Sequence, residues 1–255
     1  MIKKELRSMI KSPSYYVILL LPIALCLFMS EGTKNYLEIG SALSKSVETT
    51  VPVRIYQGAR AGAKLQFAVS ELSFMLLMAS LPMGFNVFEE RRLHTWDRLV
   101  NKSKLLYTKW GLHYLYTLLM IAISVIGFRW IFAIHLSPTA ILLFATIPIL
   151  SLSLGLMIAC CVESRSVLQD TTLMLVMLLG FFGGALSLSS VLSNTRVMNL
   201  LMYLSPLTLV NQIIFADYLA LPIKGLLLPW LLVEFVLSAA CLAITRRRIK
   251  HGIIL

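Results

Sequence analysis

The chain has 255 residues, 58% hydrophobic and 14% charged, with a mean hydropathy of +0.82, against roughly 45–50% apolar and 25% charged in soluble domains. The apolar residues come in blocks of about twenty, the length that crosses a ~30 Å hydrocarbon core, which excludes a water-soluble enzyme or carrier. The net charge of +11 does not point to nucleic acid, because Lys and Arg fall in the gaps between apolar blocks, where they hold loops on the cytoplasmic side of a membrane.

Residues 1–12 place Ile2, Leu6, Met9 and Ile10 at helical spacing with Lys3, Lys4, Arg7 and Lys11 opposite, the pattern of an interfacial amphipathic helix that Pro13 ends. The apolar run from Tyr15 lacks a small-x-small cleavage site and is expected to be a retained first span. The apolar blocks predict spans at about 14–30, 67–88, 110–134, 139–162, 171–191 and 225–244. Glu31–Gln66, the longest extramembrane stretch, is expected outside. The segment 89–109 carries six Lys or Arg and is expected in the cytoplasm. His135–Pro138 reads as an outer turn and Glu163–Asp170 as an inner loop. Residues 198–222 are apolar but interrupted by Pro206, Asn211, Gln212, Asp217 and Pro222, which predicts a re-entrant hairpin packed on protein. With both termini inside, fifteen Lys or Arg fall on the inner side and seven on the outer, the bias that six spans require. The expected fold is a single all-α membrane domain over 1–255: an interfacial helix, six transmembrane helices and a re-entrant hairpin before the last.

Motifs for chemistry are absent from the sequence. A phosphate loop needs G-x-x-x-x-G-K-[ST], and the nearest stretch, Gly58–Lys64, has the wrong spacing; there is no H-E-x-x-H and no G-x-S-x-G. Neither enzyme activity nor a cofactor or metal site is expected in this chain. Cys26, Cys160, Cys161 and Cys241 all lie in apolar blocks and read as packing residues. Glu234 lies eleven residues before Thr245, ~16 Å along a helix and near the midplane. Such a carboxyl is either a protonated or internally bonded structural group or a polar group lining a path or a subunit interface. Glu71 is expected to snorkel to the outer interface. Gly180 and Gly184, at i, i+4 spacing with Gly183 between them, let helices approach closely, within the bundle or between two copies. The Met- and Phe-rich faces of the second and fifth spans read as packing or as a greasy route. A helix over Arg91–Val100, with Leu93, Trp96, Leu99 and Val100 on one side, reads as a docking element or as a solvated basic loop.

Glu90 followed by Thr95-Trp96-Asp97-Arg98-Leu99 is similar to an acidic-x-Gly-Thr-x-Glu-x-Leu pattern, and Ser205-Pro206-Leu207-Thr208 is similar to a Ser-Pro-Leu-Thr motif before a last span. With these motifs and the order of its features, the chain resembles the ABC type 2 transporter permease family over essentially its whole length. It departs at His94, where the family usually has glycine, and at Asn101-Lys102-Ser103, which lacks the usual proline. The resemblance implies a permease subunit in a bacterial cytoplasmic membrane, multi-pass with both termini cytoplasmic, paired with a second copy or a paralogue. It implies docking of a separate ABC ATPase, which binds the ATP and Mg, through Glu89, Glu90, Arg91, Arg92, Thr95, Trp96, Asp97, Arg98 and Leu99. The N-terminal helix and Glu163–Asp170 would add a second contact. Glu234, Gly180, Gly184, Pro206 and Asn211 are candidates for a path or an interface. The expected cargo is hydrophobic or amphipathic: a drug, a lipid-like molecule or a peptide. Alternatives are a polysaccharide or glycan export permease, or a non-transporting scaffold or sensor that recruits a soluble partner through Glu89–Lys109. Secondary transport would call for inverted repeats, which the sequence does not display.

Overall fold

Backbone polar groups away from water must be satisfied within the chain, which favours helices, and the described residues contain helices and no strand. The computed structural model describes residues 13–32, 63–93, 102–183, 205–218 and 224–250, with the isolated positions 7, 9, 11 and 202. Its elements are α1 (Pro13–Gly32), α2 (Ala63–Met78), α3 (Ser80–Arg92), α4 (Lys102–Phe132), α5 (Pro138–Cys161), α6 (Arg165–Phe182), α7 (Pro206–Tyr218) and α8 (Lys224–Lys250).

Among the described residues, five stretches are long and apolar enough to cross a membrane: Phe67–Arg92, Lys104–Phe132, Pro138–Cys161, Arg165–Phe182 and Leu227–Ile249. α1 carries a shorter apolar stretch, Tyr15–Phe28. The first of the five joins α2 to α3 as one rod with a defect at Ala79. Pro82 has no N–H for the Met78 carbonyl, and the hydroxyls of Ser80 and Ser151 both donate to the Leu77 carbonyl, at 2.9 and 2.7 Å. In the most apolar 18 residues of each span, 83% are buried in this rod and 61% in α5, against 28%, 22% and 22% in α4, α6 and α8. The centre is therefore α2–α3 with α5, and the other helices form its wall.

Side-chain contacts give each helix its direction. Leu77 meets Ser151, and Arg91 meets Ala159 and Val162, so the α2–α3 rod and α5 run parallel. Glu90 meets Lys109 and Asn86 meets His113, so α4 runs antiparallel to them. Arg165 meets Glu89 while Gly180 lies under Phe74, so α6 also runs antiparallel. Thr146 of α5 lies beside Glu234 of α8, and Leu156 lines a small cavity with Leu242 and Thr245, so α8 runs parallel to α5, and one end of the bundle collects Arg91, Arg92, Lys104, Lys109, Arg165 and Arg246–Arg248. At the opposite end, Ser137 caps α5 by accepting from the Ala140 amide at 3.0 Å and donates its hydroxyl to Asp217 at the end of α7.

The polarity of the bundle is inverted relative to a soluble protein. Ser70, Ser73, Thr117, Ser124, Ser151 and Ser153 are buried, while Trp130, Phe235 and Met174 are 83%, 73% and 71% exposed. Contiguous apolar surface on α4, α6 and α8 is the covering of a chain solvated by lipid.

Several expected boundaries move. α4 begins at Lys102, not Trp110, and its 31 residues extend ~46 Å, beyond a ~30 Å core, so its first two turns belong to the segment read as a cytoplasmic loop. α6 begins at Arg165, not Thr171, because Ser164 accepts from the Val167 amide as an N-cap; the inner loop shrinks to a turn at 162–164. Of the expected hairpin at 198–222, the described part is the 13-residue α7, ~20 Å long and too short to cross; the rest lies outside the described residues apart from positions 202 and 205. Of the interfacial helix at 1–12, only positions 7, 9 and 11 are described, and they are helical.

Candidate functional site

Glu89, Glu90, Arg91 and Arg92 form the last turn of α3, so Arg91 and Arg92 do not begin a separate helix over Arg91–Val100. The last carbonyls of a helix lack intrahelical donors, and the Arg91 guanidinium supplies them to α5: Nη1 donates to the Ala159 carbonyl at 2.8 Å and Nη2 to that of Val162 at 2.6 Å. The same guanidinium lies 5.3 Å from the centre of the Phe88 ring. Glu90 pairs with Lys109 of α4 at 2.9 Å, with the lysine side chain 3% exposed. Glu89 pairs with Arg165 of α6 at 3.1 Å, a half-solvated contact. Three consecutive residues therefore tie the end of α3 to three different helices. Arg92 is exposed and makes none of these ties. Thr95, Trp96, Asp97, Arg98 and Leu99 lie outside the described residues.

A second polar layer sits one turn deeper and was missed in the sequence. His113 is buried, and its Nδ1 lies 2.9 Å from the Lys109 carbonyl. A carbonyl only accepts, so Nδ1 carries the proton and Nε2 accepts from the Asn86 amide at 3.0 Å. Asn86 also donates to the Tyr15 hydroxyl at 3.2 Å, and Tyr116 donates to the Tyr15 carbonyl at 2.6 Å, which brings in α1. The signal available was the pair of i, i+4 positions: Asn86 and Glu90 on α3 oppose His113 and Lys109 on α4 as two rungs of one ladder. Beside it, Tyr15, Tyr16 and Leu19 of α1 and Leu112, Leu115 and Leu119 of α4 line an apolar groove of about 240 Å³.

The Ser205–Thr208 motif acts as a helix cap. The Ser205 hydroxyl donates to the Leu179 carbonyl at 2.7 Å, Thr208 to Phe182 at 2.9 Å and the Asn211 amide to Gly183 at 2.9 Å, so the end of α6 is satisfied by α7 and the residue before it. Pro206 is buried at the first position of α7, where its missing N–H costs nothing. Asn211 also accepts from Ser73 of α2 at 2.8 Å. Gly180 supports Phe74: a Cβ there would lie 2.4 Å from the Phe74 ring, so this glycine serves a contact within the chain. Gly184 lies outside the described residues.

Glu71 is buried, contrary to the expectation that it snorkels, because α2 is covered by α1, α5 and α7. Glu234 is also buried, on the face of α8 that meets α5. Of the two Phe- and Met-rich faces, Phe74, Met75 and Met83 are packed in the interior, while Met174 and Met177 of α6 are exposed.

The described residues form an all-helical, membrane-type bundle with a clamped basic end. Compared with protein-family models, curated proteins and solved structures, the chain matches none.

Proposed function

We propose that this chain is the membrane-spanning subunit of an ATP-binding-cassette exporter, with α1 as a sixth span, the basic end in the cytoplasm and ATP hydrolysed by a separate subunit. The observation that carries the reading is the clamp at the end of α3. Glu89 holds α6, Glu90 holds α4 and Arg91 holds α5, so a push on the segment that follows, where Thr95–Leu99 carry the permease-like motif, is delivered to three helices at once. The excess of Lys and Arg at that end supports the orientation. A hydrophobic or amphipathic cargo is supported by the apolar groove between α1 and α4, which opens on a lipid-facing flank. A second copy or a paralogue completes the translocation path in this reading.

The test is purification of the tagged protein from its native membrane in mild detergent, with the co-purifying polypeptides identified by mass spectrometry and assayed for ATP hydrolysis. A cassette ATPase that accompanies the native chain and is lost from a Trp96→Ala, Asp97→Ala variant is the expected result. A variant that keeps the ATPase removes the coupling role of this segment. A native chain recovered without an ATPase overturns the exporter reading and favours a scaffold or sensor.

A further inference from the structure

We propose that the groove between α1 and α4 is a binding site for one anionic phospholipid, with an acyl chain along the groove and the phosphate at Arg7 and Lys11. The inference rests on the membrane reading of the bundle and concerns binding alone, so it stands or falls apart from any ATPase. α1 supplies Tyr15 and Leu19 to the groove and α4 supplies Leu112, Leu115 and Leu119, while Met9 lines it as well.

The shape of the groove selects a chain rather than a helix. From Leu112 to Leu119 it follows α4 for ~10 Å, and a volume of about 240 Å³ over that length leaves a channel ~5 Å across. An α-helix with its side chains is about 10–12 Å in diameter and does not enter, whereas one extended hydrocarbon chain fits. The tyrosines present ring, not hydroxyl, to such a chain: the Tyr15 hydroxyl accepts from Asn86 at 3.2 Å and the Tyr116 hydroxyl donates to the Tyr15 carbonyl at 2.6 Å, so both polar ends are engaged within the bundle. Along the rim, Tyr16, Leu115 and Leu119 are 52%, 62% and 50% exposed, so the groove is open on the side that meets lipid.

The charge of the occupant follows from where the groove begins. α1 starts at the basic end, because Tyr15 meets Asn86 and His113 one turn from the Glu90–Lys109 pair. Positions 7, 9 and 11 are helical; Met9 is buried against the groove, while Arg7 and Lys11, four residues apart and so on one face, are exposed. A helical stretch seated by its apolar side with cations on the other lies at the depth of lipid headgroups, and the flexible stems of Arg7 and Lys11 let them reach a phosphate whose chain enters beside Met9. No acid competes from the helices that form the groove: α4 has none, and that of α1, Glu31, lies at its far end. The two on α3, Glu89 and Glu90, are paired with Arg165 and Lys109.

Native mass spectrometry of the detergent-purified protein, titrated with phosphatidylglycerol or with phosphatidylcholine of the same acyl chains, tests this. The native protein should take up one phosphatidylglycerol with an affinity about tenfold higher than for phosphatidylcholine, the contribution of two cations near a headgroup. The Arg7→Gln, Lys11→Gln double variant should bring the two lipids to equal affinity. Leu115→Trp, which fills the groove from its exposed rim, should abolish the uptake, and Arg247→Gln, on α8 at the same end of the bundle, should leave it unchanged. Failure of the native protein to bind, equal affinity for the two lipids, a loss in Arg247→Gln as large as in the double variant, or a preference that survives Leu115→Trp would each overturn the proposal. If Leu115→Trp fails to fold, a preference retained by the double variant would overturn it equally.

Discussion

Gly155 is the position at which the two central helices tolerate least. A Cβ placed there would lie 2.3 Å from the Ser80 carbonyl oxygen and 3.0 Å from the Ser80 carbonyl carbon and Cα, against 3.4–4 Å for ordinary contact. The obstacle is backbone, so Gly155→Ala must push α3 and α5 apart by about an ångström, a forced insertion that costs ~1–3 kcal/mol. Alanine returns ~1 kcal/mol of helix propensity, which leaves a net loss on the order of 1–2 kcal/mol. Gly84, which lies across the same contact, behaves differently. Its Cβ would stand 3.3 Å from the Gly155 carbonyl oxygen and 3.5 Å from Leu168 Cδ1, a displacement of only a few tenths of an ångström that the ~1 kcal/mol gain in propensity opposes, so Gly84→Ala costs less than Gly155→Ala. Thermal unfolding in detergent compares the two directly. Maleimide labelling of buried Cys160, in a background with the other cysteines replaced by alanine, reports whether the lower part of α5 has loosened. Equal stability of Gly155→Ala and the native protein, or a greater loss in Gly84→Ala, would refute the close contact.

Three further outcomes follow from the polar ties. Asn211→Ala leaves the Gly183 carbonyl and the Ser73 hydroxyl without their partner and should cost about 2 kcal/mol; in a double-mutant cycle with Ser73→Ala, the two losses should be less than additive by roughly 1 kcal/mol. Lys109→Met removes the 2.9 Å ion pair with Glu90 and should destabilise by about 1–2 kcal/mol, part of it recovered in the Glu90→Gln, Lys109→Met double variant, as chemical denaturation will show. Arg91→Ala removes both donors from the end of α5, so hydrogen exchange should accelerate in the last turn of α5 and at 162–164 while the first turns of that helix stay protected.

The apolar blocks made the central helices legible because a block of that length has one structural solution in lipid, and α5 is found where Ser137-Pro138 and Glu163 bracket it. Boundaries at the basic end were less legible because positive charge marks where lipid stops, not where a helix stops: α4 carries Lys102–Lys109 as helix below its apolar part, and Arg165–Asp170 is helix above the Ser164 cap. The ties made by Glu89, Glu90 and Arg91 were not legible in the sequence because their partners lie up to seventy-odd positions away, on helices whose pairing no local spacing reveals. The same holds for Asn211 and Gly180, whose contacts with Ser73 and Phe74 depend on how α7 and α6 cross α2. Glu71 was misjudged because its depth was counted along one helix, whereas its burial comes from the three packed around it.

The directions of the helices carry one more consequence. α3, α5 and α8 all terminate at the basic end, so the exposed carbonyls of three aligned peptide dipoles converge there, equivalent to roughly half a negative charge each. Arg91, Arg92 and the Arg246–Arg248 run sit on the closing turns of α3 and α8, where a cation is most favoured. The charges gathered at this end therefore also neutralise the ends of its helices, and moving that end across a bilayer would take those helix ends and their arginines through together.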